Sequence, residues 1–382
     1  MTLVAPELRL RAEDFVADPP HRVAPYNKRN WGGTLHSLCS YQGKLKPSIA
    51  HFLVANFTHI GDRVLDPMGG VGTIPLEARL QGRIGLAGDL SPLATIVAKT
   101  KLEPVNSIET AFVFDQLLDW INEHPDPDLS RATFGLNGPI SSYFHEQTLK
   151  EILTTREFFQ ARRLEGELTS AEATVLTAML HILHGNRPYA LSRRSHPITP
   201  FSPQGPTEYK SVANHLRRRL TTTLPFLEAL TEQTTAGRAL EADFRESADN
   251  FGSVDAVITS PPFTNSLRFW STNWMRLWFS GWEPEDFKIE PSRYLETEQR
   301  NTYAPYALFA DSMAEVLRPD GVLILHLGET AGDNMIEQIR PLLEPKFHID
   351  AIGREALPDA ERHGLRDKGA TYAHWYLFAR RR

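Results

Sequence analysis

The 382-residue chain has a single cysteine, Cys39, which excludes an internal disulfide and any cysteine-rich metal cluster. No apolar run approaches the roughly 18 residues of a membrane span. The N-terminal "MTLVAPELRLRAEDF" introduces charge too early for a signal peptide, so a cytoplasmic protein is expected, without a membrane partner. Neither sign of charge dominates: the formal net charge is −6, and nothing global marks a nucleic-acid binder. There is no internal repeat and no low-complexity segment. His181, His184, His196, His326, His348, His363 and His374 are scattered without ligand spacing, and no metal is expected.

Residues 1–36 read as an irregular extension, because "DPPHRVAPYNKRNWGG" is too rich in Pro, Gly and polar groups for a regular element. From residue 46 the pattern changes. "KPSIAHFLVANF" reads as a helix entered through Pro47, "RVLDP" as a short strand, "IPLEARLQG" as a helix and "RIGLAGDLSP" as a second strand. Strand, helix and strand in about 30 residues imply a βαβ unit and a parallel sheet. Residues 105–236 carry four helical patterns, and strands return after 237 in "GRALEADF", "VDAVITS", "GVLILHLG" and "TYAHWYLFA". The expected organisation is one α/β sheet domain, residues 37–104 and 237–382, interrupted by a helical insertion over 105–236.

"VLDPMGGVGTIPLEA" puts Gly69, Gly70 and Gly72 between a strand and a helix, where the backbone can turn tightly beside a ligand. Pro75 spoils a G-x-G-x-x-G dinucleotide fingerprint, and no Lys follows to make a Walker A loop. Asp89 stands twenty residues beyond Gly69, a spacing that suits an acid accepting hydrogen bonds from a ribose diol. Asp66 adds a carboxylate that would repel phosphate and suit an ammonium group. S-adenosylmethionine has an adenosine, a sulfonium and an amino acid, and no phosphate.

A second stretch, "VDAVITSPPFTNS", runs a buried strand into two prolines that cannot extend it. Methylating an exocyclic amine of a nucleobase needs acceptors for its N–H bonds. Ser260 and the carbonyl of Pro261 could supply two, held stiff by Pro262, with Phe263 stacking on the base. Ring-carbon methylation needs a cysteine nucleophile, and Cys39 in "HSLCSYQ" lacks the usual Pro-Cys context; a buried structural thiol is its expected role.

Asp66 to Thr73 (D-P-x-x-G-x-G-T), Asp89, "ADF" at 242–244 and T-S-P-P-F at 259–263 together resemble the amino-group DNA methyltransferases. The resemblance covers roughly 37–104 and 237–380. It implies a class I S-adenosylmethionine-dependent methyltransferase, a Rossmann-like doubly wound sheet. It also implies that Asp66, Pro67, Met68, Gly69, Gly70, Gly72, Thr73, Asp89, Leu90, Asp243 and Phe244 bind cofactor. Tyr41 and Lys44, in the segment "SYQGKLKPSIAHFLVANF", would join them beside the methionine end. Ser-Pro-Pro-Phe is usual for N4-cytosine enzymes, and an acid or Asn before the prolines for N6-adenine enzymes. Ser260 therefore favours cytosine in duplex DNA, flipped out of the helix, with a cognate restriction endonuclease as a possible partner. N6-adenine methylation, guanine-N2 methylation of RNA and a non-catalytic DNA-binding subunit are the rival readings. Met68 departs from the family's usual Phe, and the long insertion between Asp89 and Asp243 resembles a target-recognition region, though its position matches no standard arrangement of the family.

Residues 186–219 hold seven basic residues against the single acid Glu208. Arg187, Arg193, Arg194, His196 and Lys210 are the candidate DNA contacts in the Pro-rich loop. Trp270, Trp274, Trp278 and Trp282 recur every fourth residue and read as one core-facing helix stripe.

Overall fold

The computed structural model describes residues 5–28, 31–186, 188–196, 199–264, 269–330, 332–357 and 371–382. Eight strands make one sheet: β1 (Arg63–Asp66), β2 (Ile84–Asp89), β3 (Arg238–Glu241), β4 (Val254–Thr259), β5 (Leu317–Thr330), β6 (Asp333–Asn334), β7 (Phe347–Ala356) and β8 (Ala373–Arg381). Their order is β3-β2-β1-β4-β5-β8-β7, with β6 beside β5. β1 to β5 run parallel, and β8 enters antiparallel between β5 and β7.

Alternation along the central strands sends successive side chains to opposite faces. Val64, Ala256, Ile258, Val322 and Ile324 pack on one side against α1 (Ala5–Ala17) and α2 (Pro47–Phe57). Leu65, Val257, Leu323 and Leu325 pack on the other against the helices Pro305–Val316 and Met335–Leu343. Both faces are covered, as a mostly parallel sheet requires.

Residues 5–17 correct the expectation of an irregular N-terminus. Leu8, Ala12 and Phe15 recur at helical spacing and are almost fully buried, with the Phe15 ring 5.2 Å from that of Tyr376 on β8. That short apolar face is covered by the distant β7–β8 hairpin and by α2, whose Phe57 ring lies 5.8 Å from Phe15.

Between β1 and β3 run α3 (Thr73–Leu80), α4 (Pro92–Leu102), α5 (Ser107–Glu123), α6 (Glu146–Glu165), α7 (Ser170–Leu183) and α8 (Val212–Gln233). Side-chain caps start several of them: Ser91 before α4, Asn106 before α5, and a Thr169–Glu172 capping box at α7. The inserted helices share one core with α4 through Leu93, Ile96, Val97, Val175 and Leu176. The tryptophan stripe lies in the same core, with Trp274, Trp278 and Trp282 at most 6% exposed. Its helix is broken at Asn273 into two short pieces, Phe269–Thr272 and Trp274–Phe279.

Candidate active site

Sheet order reverses between β1 and β4, and ligands of open α/β sheets bind where the parallel strands end at such a switch point. The glycine loop leaves β1 there, and Ser-Pro-Pro-Phe leaves β4 beside it.

Gly70 and Gly72 hold φ of +49° and +71°, the left-handed region that glycine enters without strain. The Gly69 N–H donates to the Gly88 carbonyl at 2.9 Å and the Gly70 N–H to Asp89 Oδ2 at 2.8 Å, tying the loop to the end of β2. Lys101, 1% exposed on α4, donates to the Val71 carbonyl at 2.5 Å; burial drops its ammonium to about 7. Nothing in the sequence around Lys101 signals this role. Tyr41 roofs the loop: a side-chain carbon on Gly70 would sit 3.4 Å from its ring.

Asp66 is buried where β1 ends. Its Oδ1 accepts from the Thr259 hydroxyl at 2.7 Å and the Met68 N–H at 3.2 Å. Burial outweighs both bonds and lifts its carboxyl to about 7. Asp89 is lifted to about 6 by burial, against N–H bonds from Ser91 and Gly70. A ligand bearing positive charge would return both to the ionised form. Pro67 and Thr73 are buried within the loop, and Met68 is half-buried against the core.

Beyond β2 and β3 opens a cavity of ≈ 280 Å³, lined by Leu90, Ala242 and Trp282 and by five acids (Glu241, Asp243, Glu246, Asp286, Glu290) against the base Arg293. Such a pocket disfavours phosphate and accommodates an uncharged nucleoside ring. Asp243 is held by its own neighbour, accepting from the Arg245 N–H at 2.9 Å and pairing with its guanidinium at 2.8 Å. Two expectations change. Phe244 is 5% exposed in the core, 5.7 Å from the Phe309 ring, and does not line the cavity. The Lys44 ammonium donates to the His36 carbonyl at 2.6 Å and so fastens its own turn. Trp282 was placed in the core by its spacing, yet it also walls this cavity.

At the second turn, the Pro262 carbonyl accepts from the Gln299 side chain at 2.7 Å. Among the described residues nothing donates to the Pro261 carbonyl. Ser260 Oγ lies 3.0 Å from Nδ1 of His326 on β5. Phe263 packs beside that imidazole, with ring centroids 5.4 Å apart, and against Gly328. His326, 66 residues from Ser260, carries no local sequence signal.

The basic loop is anchored by the Pro200 carbonyl, which accepts from Trp274 Nε1 (3.1 Å), Tyr143 (3.1 Å) and Asn137 (2.9 Å). Two of the candidate DNA contacts are spent inside it. The Arg193 guanidinium donates to the carbonyls of Gly205 and Ser142, and the Lys210 ammonium to those of Ala190 and Ser192. Long basic side chains in a folded loop can reach back to backbone carbonyls that would otherwise lack a donor. Arg194 and His196 are exposed, as are Arg217 and Arg218 on α8. Arg187 lies outside the described residues.

A sheet of this order, with an antiparallel hairpin at its far side and a glycine loop after the first strand, is the fold of class I S-adenosylmethionine-dependent methyltransferases. S-adenosylmethionine is accordingly the expected cofactor, and the acid-rimmed cavity and raised carboxylates fit it. No protein-family model matches the chain. Over 89 residues the chain is 26% identical to the type II methyltransferase M.MjaII of Methanocaldococcus jannaschii, a match spanning 23% of this chain and only 16% of that protein. TrmN from Thermus thermophilus overlaps 89% of this chain and 50% of its own, with 13% identity and a TM-score of 0.35. The rRNA methyltransferase aviRa from Streptomyces viridochromogenes overlaps 90% and 88%, with 14% identity and a TM-score of 0.31. Overlaps this loose carry no weight beside the strand order itself.

Proposed function

We propose that the protein is a site-specific DNA methyltransferase acting on the exocyclic N4 of a cytosine in duplex DNA, the modification half of a restriction-modification pair. The observation that carries this reading is the Ser-Pro-Pro-Phe turn at the end of β4, adjoining the glycine loop, with no donor to its Pro261 carbonyl among the described residues. When bound, S-adenosylmethionine supplies an electrophilic methyl on a sulfonium. Asp66 would face its positive charge and Asp89 its ribose, and Leu90, Asp243 and Trp282 would hold the adenine. Ser260 Oγ and the Pro261 carbonyl accept the two N–H bonds of the target amine. They hold its nitrogen in line and favour the charge that grows on it during attack. Phe263 supports the extruded base. Extrusion costs a few kcal/mol, which contacts from Arg194, His196, Arg217 and Arg218 to DNA phosphates would offset.

The test is mass spectrometry of nucleosides from unmethylated DNA incubated with the protein and labelled S-adenosylmethionine, beside Ser260→Ala. Labelled N4-methyldeoxycytidine, falling roughly 10²-fold in the variant, is the expected result. Labelled N6-methyldeoxyadenosine would keep the mechanism and overturn the base. Label in RNA alone would overturn the DNA substrate, and no cofactor binding at all would leave a non-catalytic subunit.

A further inference from the structure

Methylation of an exocyclic amine releases a proton. The Ser-Pro-Pro-Phe turn offers a hydroxyl and carbonyls, which hold N–H bonds but keep no proton near neutral pH. Immediately behind it stands an imidazole. The β4–β5 register pairs Thr259 with Leu325, so the next residues, Ser260 and His326, come out side by side, Oγ to Nδ1 at 3.0 Å. His326 is 2% exposed, and its Nε2 has no hydrogen-bond partner among the described residues. Phe263, His374 and Tyr376 wall the ring, at centroid distances of 5.4, 4.4 and 5.2 Å. A buried polar ring with one nitrogen on the turn's hydroxyl and the other unpaired is costly for stability alone.

We propose that His326 is a positioning residue that draws the hydroxyl proton of Ser260 and so takes up, through Oγ, the proton lost by the methylated amine. This rests on the methyltransferase reading above. One N–H bond of the cationic amine breaks as an Oγ–H bond forms, while the original Oγ–H bond breaks as Nδ1–H forms. The positive charge passes from the base to the imidazole, and no other reactant is consumed. Before the step the ring must be neutral with Nδ1 free to accept. Burial, and after it His374, push its pKa well below the ordinary histidine value, against a weaker pull from Glu355 and a further push from His21. Such an imidazole is a modest base, but an N-protonated aminopyrimidine is a much stronger acid, so geometry and not basicity limits the transfer.

Single-turnover methyl transfer by the full chain separates the possibilities. His326→Phe keeps the shape and should slow the step about 10²-fold or more, with cofactor affinity unchanged. His326→Asn can still accept from the Ser260 hydroxyl but cannot keep a proton; it should stay slow, and its rate should rise with pH where that of the wild type is flat. Ser260→Ala/His326→Asn should be no slower than Ser260→Ala. Wild-type rates in either single variant, or multiplicative losses in the double, would overturn the proposal. Should His326→Phe fail to fold, the Asn variant and its double decide the same point. Absence of methyl transfer to any nucleic acid by the wild type would instead sink the methyltransferase reading.

Discussion

If Asp66 faces the cofactor's positive charge as proposed, cofactor affinity should depend on pH in a calculable way. With its carboxyl at about 7, about one-tenth is ionised at pH 6 and about three-quarters at pH 7.5. A cationic ligand binds the ionised form, so the dissociation constant should tighten about eightfold over that interval, roughly 1.2 kcal/mol. The window closes at 7.5 because an α-amino group itself loses its proton near 7.7–8.0. Calorimetry at pH 6.5 in buffers of differing ionisation enthalpy should show a fraction of a proton released on binding. Thr259→Val removes the hydroxyl that holds Asp66 down; such a bond to a charged group contributes about 1.5–3 kcal/mol. The midpoint should move up by one to two units, weakening binding at pH 7 about tenfold. The sign reverses for the unliganded fold. A raised carboxyl binds a proton that the unfolded chain has released, so its contribution to stability is lost as pH rises from about 4 to about 7. Asp66→Asn should therefore melt higher than wild type at pH 7.5 without ligand while losing the pH dependence of binding. A flat affinity with no buffer effect, or an unchanged pH profile in Asp66→Asn, would refute the reasoning.

Three further outcomes are expected. A methyl group on Gly328 would lie 2.6 Å from the Phe263 ring, so Gly328→Ala should displace that ring and slow methyl transfer while calorimetric cofactor affinity holds. Glu355, 4% exposed at its side chain, pairs with His21 at 2.9 Å and with Arg22, and accepts from Tyr376 at 2.6 Å; Glu355→Gln should cost about 3–5 kcal/mol in urea unfolding. Arg194→Ala should lower the salt slope of DNA binding by about one, whereas Lys210→Ala should lower the melting temperature and leave that slope unchanged, because its ammonium is spent on carbonyls.

The parts legible in the sequence are those whose chemistry is local. A strand, three glycines and a helix within a few residues of one another announce the loop at Asp66–Thr73, and two prolines after an apolar run announce the turn at Ser260–Phe263. What escaped is what only the sheet brings together. His326 reaches Ser260 because β5 lies next to β4, and α1 has an apolar face worth burying because the β7–β8 hairpin and α2 come together beneath it. Charge was the poorest guide: Arg193 and Lys210 look like phosphate ligands in the sequence and serve as internal struts in the fold. The tryptophan period marked buried positions, but could not reveal that Trp282 closes one cavity or that Asn273 splits the helix.

The Thr259 hydroxyl bond to Asp66 has a consequence for how the two ligands should bind together. Thr259 is the last residue of β4 and is bonded covalently to Ser260, so one peptide link and one 2.7 Å hydrogen bond separate the Asp66 carboxylate from the Ser260 residue, the two groups proposed above to meet cofactor and target amine. Ionising Asp66 strengthens that bond and steadies the turn. Cofactor and nucleic acid should then bind with positive cooperativity, and by reciprocity each should raise the other's affinity by the same factor. Occupancy of one half of the site should thereby be reported to the other through this single strand end.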